Sequence, residues 1–583
     1  MRVMKPTLRV NRKTISSVFT PATMASPSYA PFALAFVLSL AAACGSTDDG
    51  APSESSDTST ATSVGASGDD TSMPSTTAPS STTDVADDSG TSAADSSTGD
   101  APSDCPEPPV EPPCEAVGAG RCFYIDPIAG DDAGDGSAAA PWQTFVNIDS
   151  SIYYGTYPPA PQWVELHSGD VVYVREGTIS QVFHPGDDSG PEGGGSYLVH
   201  LRGLDGSGAP ITLEAYPGER PVLEPGEAAI AIDVLQSNGI VIDGFEIRGA
   251  YGRGIRIVES QDVEVARVLV YDTDGTVADN LAGLEILAST DVEVHDSVFA
   301  DNYDRAAARA GEQTENSGNL VLFGNTGVIA IRRCAFYQSE GPDSQFSGFG
   351  VKYKHASSAP DASFEITDSY FEGNSFGIGI GTAHADVHHN VIVDSGVGIT
   401  SQDFGGDTHQ WDQRLSANTV VARIGLHADP TLEWIDDENG PWPDLTENAV
   451  ERNIVVDTTD MHSQDQRTVL FSPYIGDEEH DAYASGLVMD DNCYHRDGGA
   501  VSFGFAESES YGITGGAFDL EGWRAAYGFD LASVEADPEL TELVPASDGP
   551  CALMGAFTDD HAPAIDFADP LACGDAATTR RWL

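Results

Sequence analysis

The sequence has little of what most functional classes require. No hydrophobic run is long: the stretch from Pro31 to Leu40 falls well short of the ~20 apolar residues of a membrane-spanning helix. Basic residues are scarce, 27 against 92 acidic ones in 583 residues, a formal charge of -65. Nucleic acid and anionic membrane surfaces would be repelled, so neither is expected as a direct partner. Helical periodicity is nearly absent, which argues against a bundle. Cysteines number 8, and no pair has zinc-finger spacing.

What is present is repetition. Ile242 to Ile247, Val265 to Val270, Val294 to Phe299, Ile331 to Phe336, Ile366 to Phe371, Val387 to Ile392, Leu415 to Val420, Val450 to Val455 and Met489 to Tyr494 are apolar pairs five residues apart in one register. Between them, three residues after the first, stand Phe245, Val268, Ser297, Cys334, Ser369 and then Asn390, Asn418, Asn453 and Asn492. Four consecutive asparagines at one site predict a ladder in which each amide donates to the next. A second strand recurs as Gly254-Ile-Arg-Ile, Gly283-Leu-Glu-Ile, Asn319-Leu-Val-Leu, Gly350-Val-Lys-Tyr, Gly377-Ile-Gly-Ile, Gly396-Val-Gly-Ile and Gly425-Leu-His-Ala. Its apolar residues alternate with period two, and the leading glycine suits a turn at positive φ.

One such unit cannot bury its inward residues alone, so the units must stack. Short strands and Gly, Asn and Asp turns predict a parallel β-helix; the uneven spacing of about 21 to 39 residues disfavours a propeller, whose period is steadier. The run from Phe123-Tyr-Ile-Asp-Pro to Pro141-Trp-Gln-Thr-Phe145 resembles the opening of secreted right-handed β-helix proteins of the pectin-lyase-like superfamily. Gly169-Asp-Val-Val-Tyr-Val and Ala209-Pro-Ile-Thr-Leu-Glu-Ala are similar to its first coils, and Gly522-Trp-Arg-Ala-Ala-Tyr to its closing segment. The resemblance implies an all-β, right-handed parallel β-helix and leaves the activity open, since that superfamily spans lyases, hydrolases, epimerases and non-catalytic surface proteins.

Residues 1–43 resemble a bacterial lipoprotein signal, with basic residues, an apolar core and Ala41-Ala-Ala before Cys44, the expected lipidation site. An outer-membrane, cell-surface or secreted location follows, with membrane contact only through the lipid anchor. Residues 44–104 are rich in Ser, Thr, Asp, Ala and Gly and are expected to form a disordered tether. The β-helix domain with its N-terminal cap is expected over 105–573, and 574–583 as a tail. Cys105, Cys114 and Cys122 at one end and Cys551 and Cys573 at the other are candidates for disulfides that staple the termini, and Cys334 is expected to be a buried thiol.

The interior of a stacked coil is packed, so chemistry belongs outside. The outward residues of the glycine-led strand are expected to be Arg256, Glu285, Val321, Lys352, Gly379, Gly398 and His427. Insertions at 300–318, 338–347, 401–414 and 430–448 would wall this face. Lys352, Lys354 and His355, over Gly377, Gly379 and Gly381, form the candidate catalytic centre: superfamily lyases abstract a proton next to a uronate carboxylate, often with lysine or arginine as base. A neighbouring ammonium favours the neutral, basic form of such a lysine. Arg332 and Arg333 are candidate ligands for an acidic sugar, and Trp411, Trp434, Trp442 and His427 candidate substrate contacts. His384, His388 and His389 are further acid-base candidates, with His388 and His389 expected on opposite faces. A glycosidase would need facing carboxylates, for which Glu285, Asp403 and Asp407 are conceivable members.

Calcium is the one cofactor expected: Asp131, Asp132 and Asp135, and Asp436 to Glu438, offer hard oxygen ligands, although none follows the EF-hand template. Two functional classes remain. One is a surface-tethered enzyme that binds or degrades polysaccharide, a lyase for acidic glycan before a glycoside hydrolase; the other is a non-catalytic β-helix for glycan binding, adhesion or envelope structure.

Overall fold

The computed structural model describes residues 113–150, 160, 162–180, 197–226, 230–274, 281–303, 317–338, 348–354, 362–402, 412–429, 448–458, 468–471, 486–505, 516–541 and 543–557. Over these residues the chain is a parallel β-helix, as expected. One face is a sheet of twelve parallel strands from Cys122–Ile125 to Leu487–Asp490, which carries the first apolar residue of each pair. A column of short strands, such as Leu269–Tyr271, Val298–Ala300 and Ala335–Tyr337, carries the second. The third face is the glycine-led column, including Arg253–Val258, Ala282–Leu287, Gly318–Phe323, Phe349–Lys354 and Phe376–Ile380. Strands Val391–Gln402 and Thr419–Asp429 run through both of the latter columns and join them.

Every apolar pair stacks in the register read from the sequence, Ile242 on Val265 and onward to Met489, and Ile247 on Val270 and onward to Tyr494. Three earlier rungs, at Leu213, Val172 and Phe123, extend it. The inward side chains fuse into one core in which Phe299, Phe336 and Phe371 stack with centroids 5.5 and 4.7 Å apart. Burial of each such ring contributes roughly 2–3 kcal/mol.

The turn between the paired residues explains the ladder. Two residues after each first apolar residue, Gly244, Arg267, Asp296, Arg333, Asp368, His389, Ala417, Arg452 and Asp491 all have positive φ. That left-handed residue reverses the chain and turns the next side chain inward, where asparagine closes the stack. Asn390 Nδ2 donates to Asn418 Oδ1 (3.1 Å), Asn418 to Asn453 (3.0 Å), Asn453 to Asn492 (3.1 Å), and Asn492 to Asp530 Oδ1 (3.2 Å). A second buried ladder, Ser237, Ser260, Ser289 and Asn325, lines another corner through backbone N–H groups of successive rungs.

The leading glycines have a different cause from the one expected. Gly254, Gly283, Gly350, Gly377, Gly398 and Gly425 do not lie at positive φ. They stand where a Cβ would strike a neighbour: at Gly398 it would fall 2.3 Å from Val420 Cγ1 and 2.6 Å from the Gly425 carbonyl. One repeat unit is also displaced by two residues. Ile378 pairs with Ile399, so the equivalent of Gly377-Ile-Gly-Ile is Gly398-Ile-Thr-Ser, not Gly396-Val-Gly-Ile.

Both described ends are fastened. Cys114 is bonded to Cys122, and Cys493 to Cys551; Cys551 thus pairs with Cys493, a residue outside the expected terminal set. Cys334 is a buried free thiol whose pKa burial pushes up to about 12. Cys44, Cys105 and Cys573 lie outside the described residues. Helix Leu520–Tyr527, capped by Asp519 and by left-handed Gly528, sets the fully buried Trp523 on Phe503 at 5.5 Å. Trp523 Nε1 donates to Asp530, the last member of the asparagine ladder, so the closing segment seals the stack with its polar groups satisfied. The disulfides suit an oxidising, extracytoplasmic compartment. Among the described residues no helix is long and apolar enough to cross a membrane.

Candidate functional site

Strand alternation turns Ile255 and Ile257 inward and Arg256 outward, and the pairing carries that position along the sheet as His200, Asp233, Arg256, Glu285, Val321, Lys352, Gly379, Thr400 and His427. Neighbouring members are about 4.8 Å apart. The two-residue shift places Thr400, not Gly398, in this column. An outer face of a solenoid is ordinarily solvated, yet Asp233, Glu285 and Thr400 are fully buried and His200, Arg256, Lys352 and Lys354 nearly so.

The N-terminal half of the column is an ionic chain. Arg256 Nε and the second guanidinium nitrogen grip Asp233 at 2.7 and 3.3 Å, and Arg253 Nε lies 3.0 Å from Glu285 Oε2. His200 Nε2 sits 3.6 Å from Asp233 Oδ2, while neither ring nitrogen has a hydrogen-bond partner among the described residues. Desolvation lowers the His200 pKa, against the pull of Asp233 and Asp149. Its ring meets Tyr197 edge-on with centroids 4.7 Å apart.

The C-terminal half carries the expected lysines. Lys352 and Lys354 leave the same strand on the same side; Lys352 Nζ lies 4.6 Å from the Phe349 ring centroid and Lys354 Nζ 5.2 Å from that of Phe323. Such ammonium–aromatic contacts hold a cation on a partly desolvated surface. Gly379 follows Lys352 directly, and Thr400 Oγ1 lies 2.9 Å from His427 Nδ1. Desolvation lowers the His427 pKa to about 4, which keeps the ring neutral at physiological pH. Behind this end, a cavity of about 30 Å³ between Gln413, Leu426, His427, Asn448 and Met489 has room for about one water.

Not all expected residues converge here. Arg332 and Arg333 belong to the twelve-strand sheet and its turn: Arg332 bridges Glu293 (2.8 Å) and Glu365 (2.6 Å), and Arg333 is paired with Asp296 (2.6 Å). They are already neutralised on another face and are not part of the lysine site. His388 and His389 do not point to opposite faces; the left-handed backbone at His389, just past its strand, brings the two Nδ1 atoms to 2.8 Å. His384 pairs with Asp412 at 2.7 Å. His355, Trp411, Trp434, Trp442, Asp403, Asp407 and the greater part of each insertion lie outside the described residues.

The sequence reading missed His200 and Asp233. Tyr197–Arg202 and Ile230–Leu235 are members of the glycine-led column without a leading glycine, so alternation, not glycine, was the usable signal.

Among the described residues there is no group of three or more His, Cys, Asp or Glu that could hold a metal ion. Asp132 accepts from the backbone of Gln143 and Thr144, Asp131 from Ala133 and Asp135 from Ser137, so the carboxylates of the Asp131–Asp135 loop fold their own turns. Asp436 to Glu438 lie outside the described residues.

Residues 230–409 match the family described as right handed beta helix region. No curated protein matches the chain. Among solved structures, the chain is similar to pectate lyase Pel9A, at 16% identity over 54% of this chain and 75% of that one, with TM-score 0.37. A rhamnogalacturonan lyase is similar at 16% identity over 52% and 82% of the two chains, TM-score 0.34. The GH136 lacto-N-biosidase from Eubacterium ramulus is similar at 13% identity over 65% and 64%, TM-score 0.33. The chain thus contains a right-handed parallel β-helix region.

Proposed function

We propose that the protein is a surface-tethered, extracytoplasmic β-helix that binds and cleaves acidic polysaccharide along the outer face of its glycine-led sheet by β-elimination. The observation that carries this reading is the pair Lys352 and Lys354, which leave one strand on the same outward side, each over an aromatic ring, with Gly379 next to Lys352 in the column. In the proposed step the neutral amine of one lysine takes the proton next to the uronate carboxylate. The freed electron pair forms the carbon–carbon double bond, the glycosidic carbon–oxygen bond breaks, and the leaving oxygen receives a proton from the second ammonium. Pectate lyase and rhamnogalacturonan lyase are distant structural neighbours and do not name the substrate. The tether and its anchor at Cys44 complete the proposal, and Cys44→Ser should release the protein from membranes.

A second reading, a non-catalytic glycan-binding β-helix, is favoured by one fact: the charges of the N-terminal half of the face are already spent on one another, Asp233 on Arg256 and Glu285 on Arg253. Incubation of the purified protein, with and without calcium, against pectate, alginate and glycosaminoglycans separates the two. Absorbance from new unsaturated ends supports the lyase; retained binding without new ends supports the binding protein. Neither cleavage nor binding of any polymer overturns both.

A further inference from the structure

Most described arginines are spent on carboxylates, from Arg121 on Asp170 to Arg496 on Asp457. Arg423 is an exception. Its Nε is buried without a hydrogen-bond partner, and it takes part in no ion pair among the described residues. In a chain with 92 acidic residues against 27 basic ones, that isolation is not for want of carboxylates. Asp457, one rung on from the neighbouring Ala422, is already held by Arg496. Leaving a buried guanidinium N–H dry is costly, and proteins keep such costs chiefly where a site needs them.

Arg423 stands at the corner where strand Thr419–Asp429 passes from the short-strand column into the glycine-led column. Ala422 packs into the core on one side of it. Ile424, on the other side, pairs back through Val397 and Phe376 to Phe349, and that position continues to Arg253, whose side chain meets the outward Glu285. This column therefore faces outward as well. Phe376, Val397 and Ile424 are only half-buried there, an apolar strip beside the lysine strand. At its near end Phe349 stacks on Phe376 with centroids 4.6 Å apart, and Lys352 Nζ lies 4.6 Å from the Phe349 centroid.

At the far end lies the guanidinium. A Cβ placed on Gly396 would fall 3.4 Å from Arg423 Nη2 and 2.6 Å from the Ser375 carbonyl oxygen, so Arg423 reaches back across Gly396, one rung towards the lysines. That explains a glycine which the displaced register had left without a role. Gly396 is two rungs from Gly348 and Phe349, about 10 Å at ~4.8 Å each. Ammonium and guanidinium thus bracket a strip longer than one sugar ring. A uronate unit presents what such a strip and such an arginine can take: an apolar C–H face and a planar carboxylate that fits the guanidinium fork.

We infer that Arg423, lying across Gly396 beside the Phe376–Val397–Ile424 strip, binds the carboxylate of a uronate unit further along the glycan chain that meets Lys352. The inference rests on the acidic-glycan reading of this face and adds to it the residue that selects a charged sugar over a neutral one, the part that Arg332 and Arg333 cannot play.

Titration calorimetry of the full-length protein tests it, with oligogalacturonate and oligoalginate and with the same oligosaccharides after reduction of their carboxyl groups. Arg423→Gln should weaken binding of the acidic form about ten- to a hundredfold and leave that of the reduced form unchanged, so that the preference for the charged sugar narrows by the same factor. Arg423→Lys, which keeps the charge without the fork, should recover only part of the loss. Equal affinity of wild type and Arg423→Gln for the acidic form, or equal weakening on both forms, overturns the inference and leaves the lysine site standing. A wild type that binds no acidic form removes the acidic-glycan reading, and the inference with it. Because Arg423 is paired with no described group, Arg423→Gln should keep the wild-type thermal midpoint; a midpoint several degrees lower would assign the guanidinium to the fold and overturns the inference equally.

Discussion

Replacing Asn418 with alanine should be among the most damaging single changes in the molecule. Its fully buried amide makes four hydrogen bonds: Oδ1 accepts from Asn390 N (3.0 Å) and Asn390 Nδ2 (3.1 Å), and Nδ2 donates to Val387 O (2.8 Å) and Asn453 Oδ1 (3.0 Å). Each bond contributes about 1 kcal/mol net, and each partner left dry costs about 1–3 kcal/mol more. Partial relaxation brings the expected loss to about 3–5 kcal/mol. Asn418→Ser supplies an internal control. Ser369 occupies the same site two rungs earlier, accepts from Cys334 N–H (3.2 Å) and donates to the Thr367 carbonyl (3.0 Å), so serine should recover roughly half of the loss. Denaturant titration read by tryptophan fluorescence gives the total, because Trp523 is buried against the last rung. Hydrogen exchange resolves whether the opening is confined to nearby rungs, as expected where each repeat contacts only its neighbours. A loss below about 1 kcal/mol for alanine, or equal losses for alanine and serine, would refute the ladder as a source of stability.

Arg256→Ala should lower stability by about 3–5 kcal/mol, because it strands the buried Asp233 carboxylate, whereas the double variant Arg256→Met with Asp233→Leu should regain most of it; calorimetry of the two decides. Gly398→Ala should cost about 1–3 kcal/mol through contact with Val420 and the Gly425 carbonyl, and a neutral result in thermal denaturation would contradict the close-approach account of the leading glycines. The His295 imidazole is partly desolvated, but hydrogen bonds to Asp296 and Glu264 outweigh that and raise its pKa. Its stabilising contribution is therefore complete below about pH 6.5 and fades as pH rises through the raised folded value. The stability gap between the wild type and His295→Gln should shrink over that interval; a gap independent of pH would count against it.

The fold was legible because the stack repeats the same physical demand at every rung. The apolar pairs needed no correction, and the asparagines appeared where the turn makes a side chain point inward. The two errors of alignment share a cause: glycine was treated as a marker of positive φ, but Gly398 is small because Val420 and a neighbouring carbonyl leave no room, while the left-handed residues are Arg267, Asp296, Arg333 and their equivalents. Glycine thus marked the column imperfectly, which displaced one rung by two residues and hid His200 and Asp233 on strands that lack it. Arg332 and Arg333 looked available because sequence does not show which sheet a residue leaves; their carboxylate partners, Glu293, Glu365 and Asp296, come from rungs 33 to 39 residues distant. The pairing of Cys551 with Cys493 was hidden for the same reason, 58 residues apart in sequence and adjacent in the fold.

The most direct test of the proposed site is the rate at which unsaturated ends form from the preferred acidic polysaccharide, measured side by side for the wild type, Lys352→Ala and Lys354→Ala, with folding verified by circular dichroism. The proposal predicts a fall of at least about a hundredfold for the variant that lacks the base, the usual scale of acid–base catalysis, with glycan binding retained. Turnover that survives both substitutions would move the chemistry off the outer face of the glycine-led sheet and contradict the central claim.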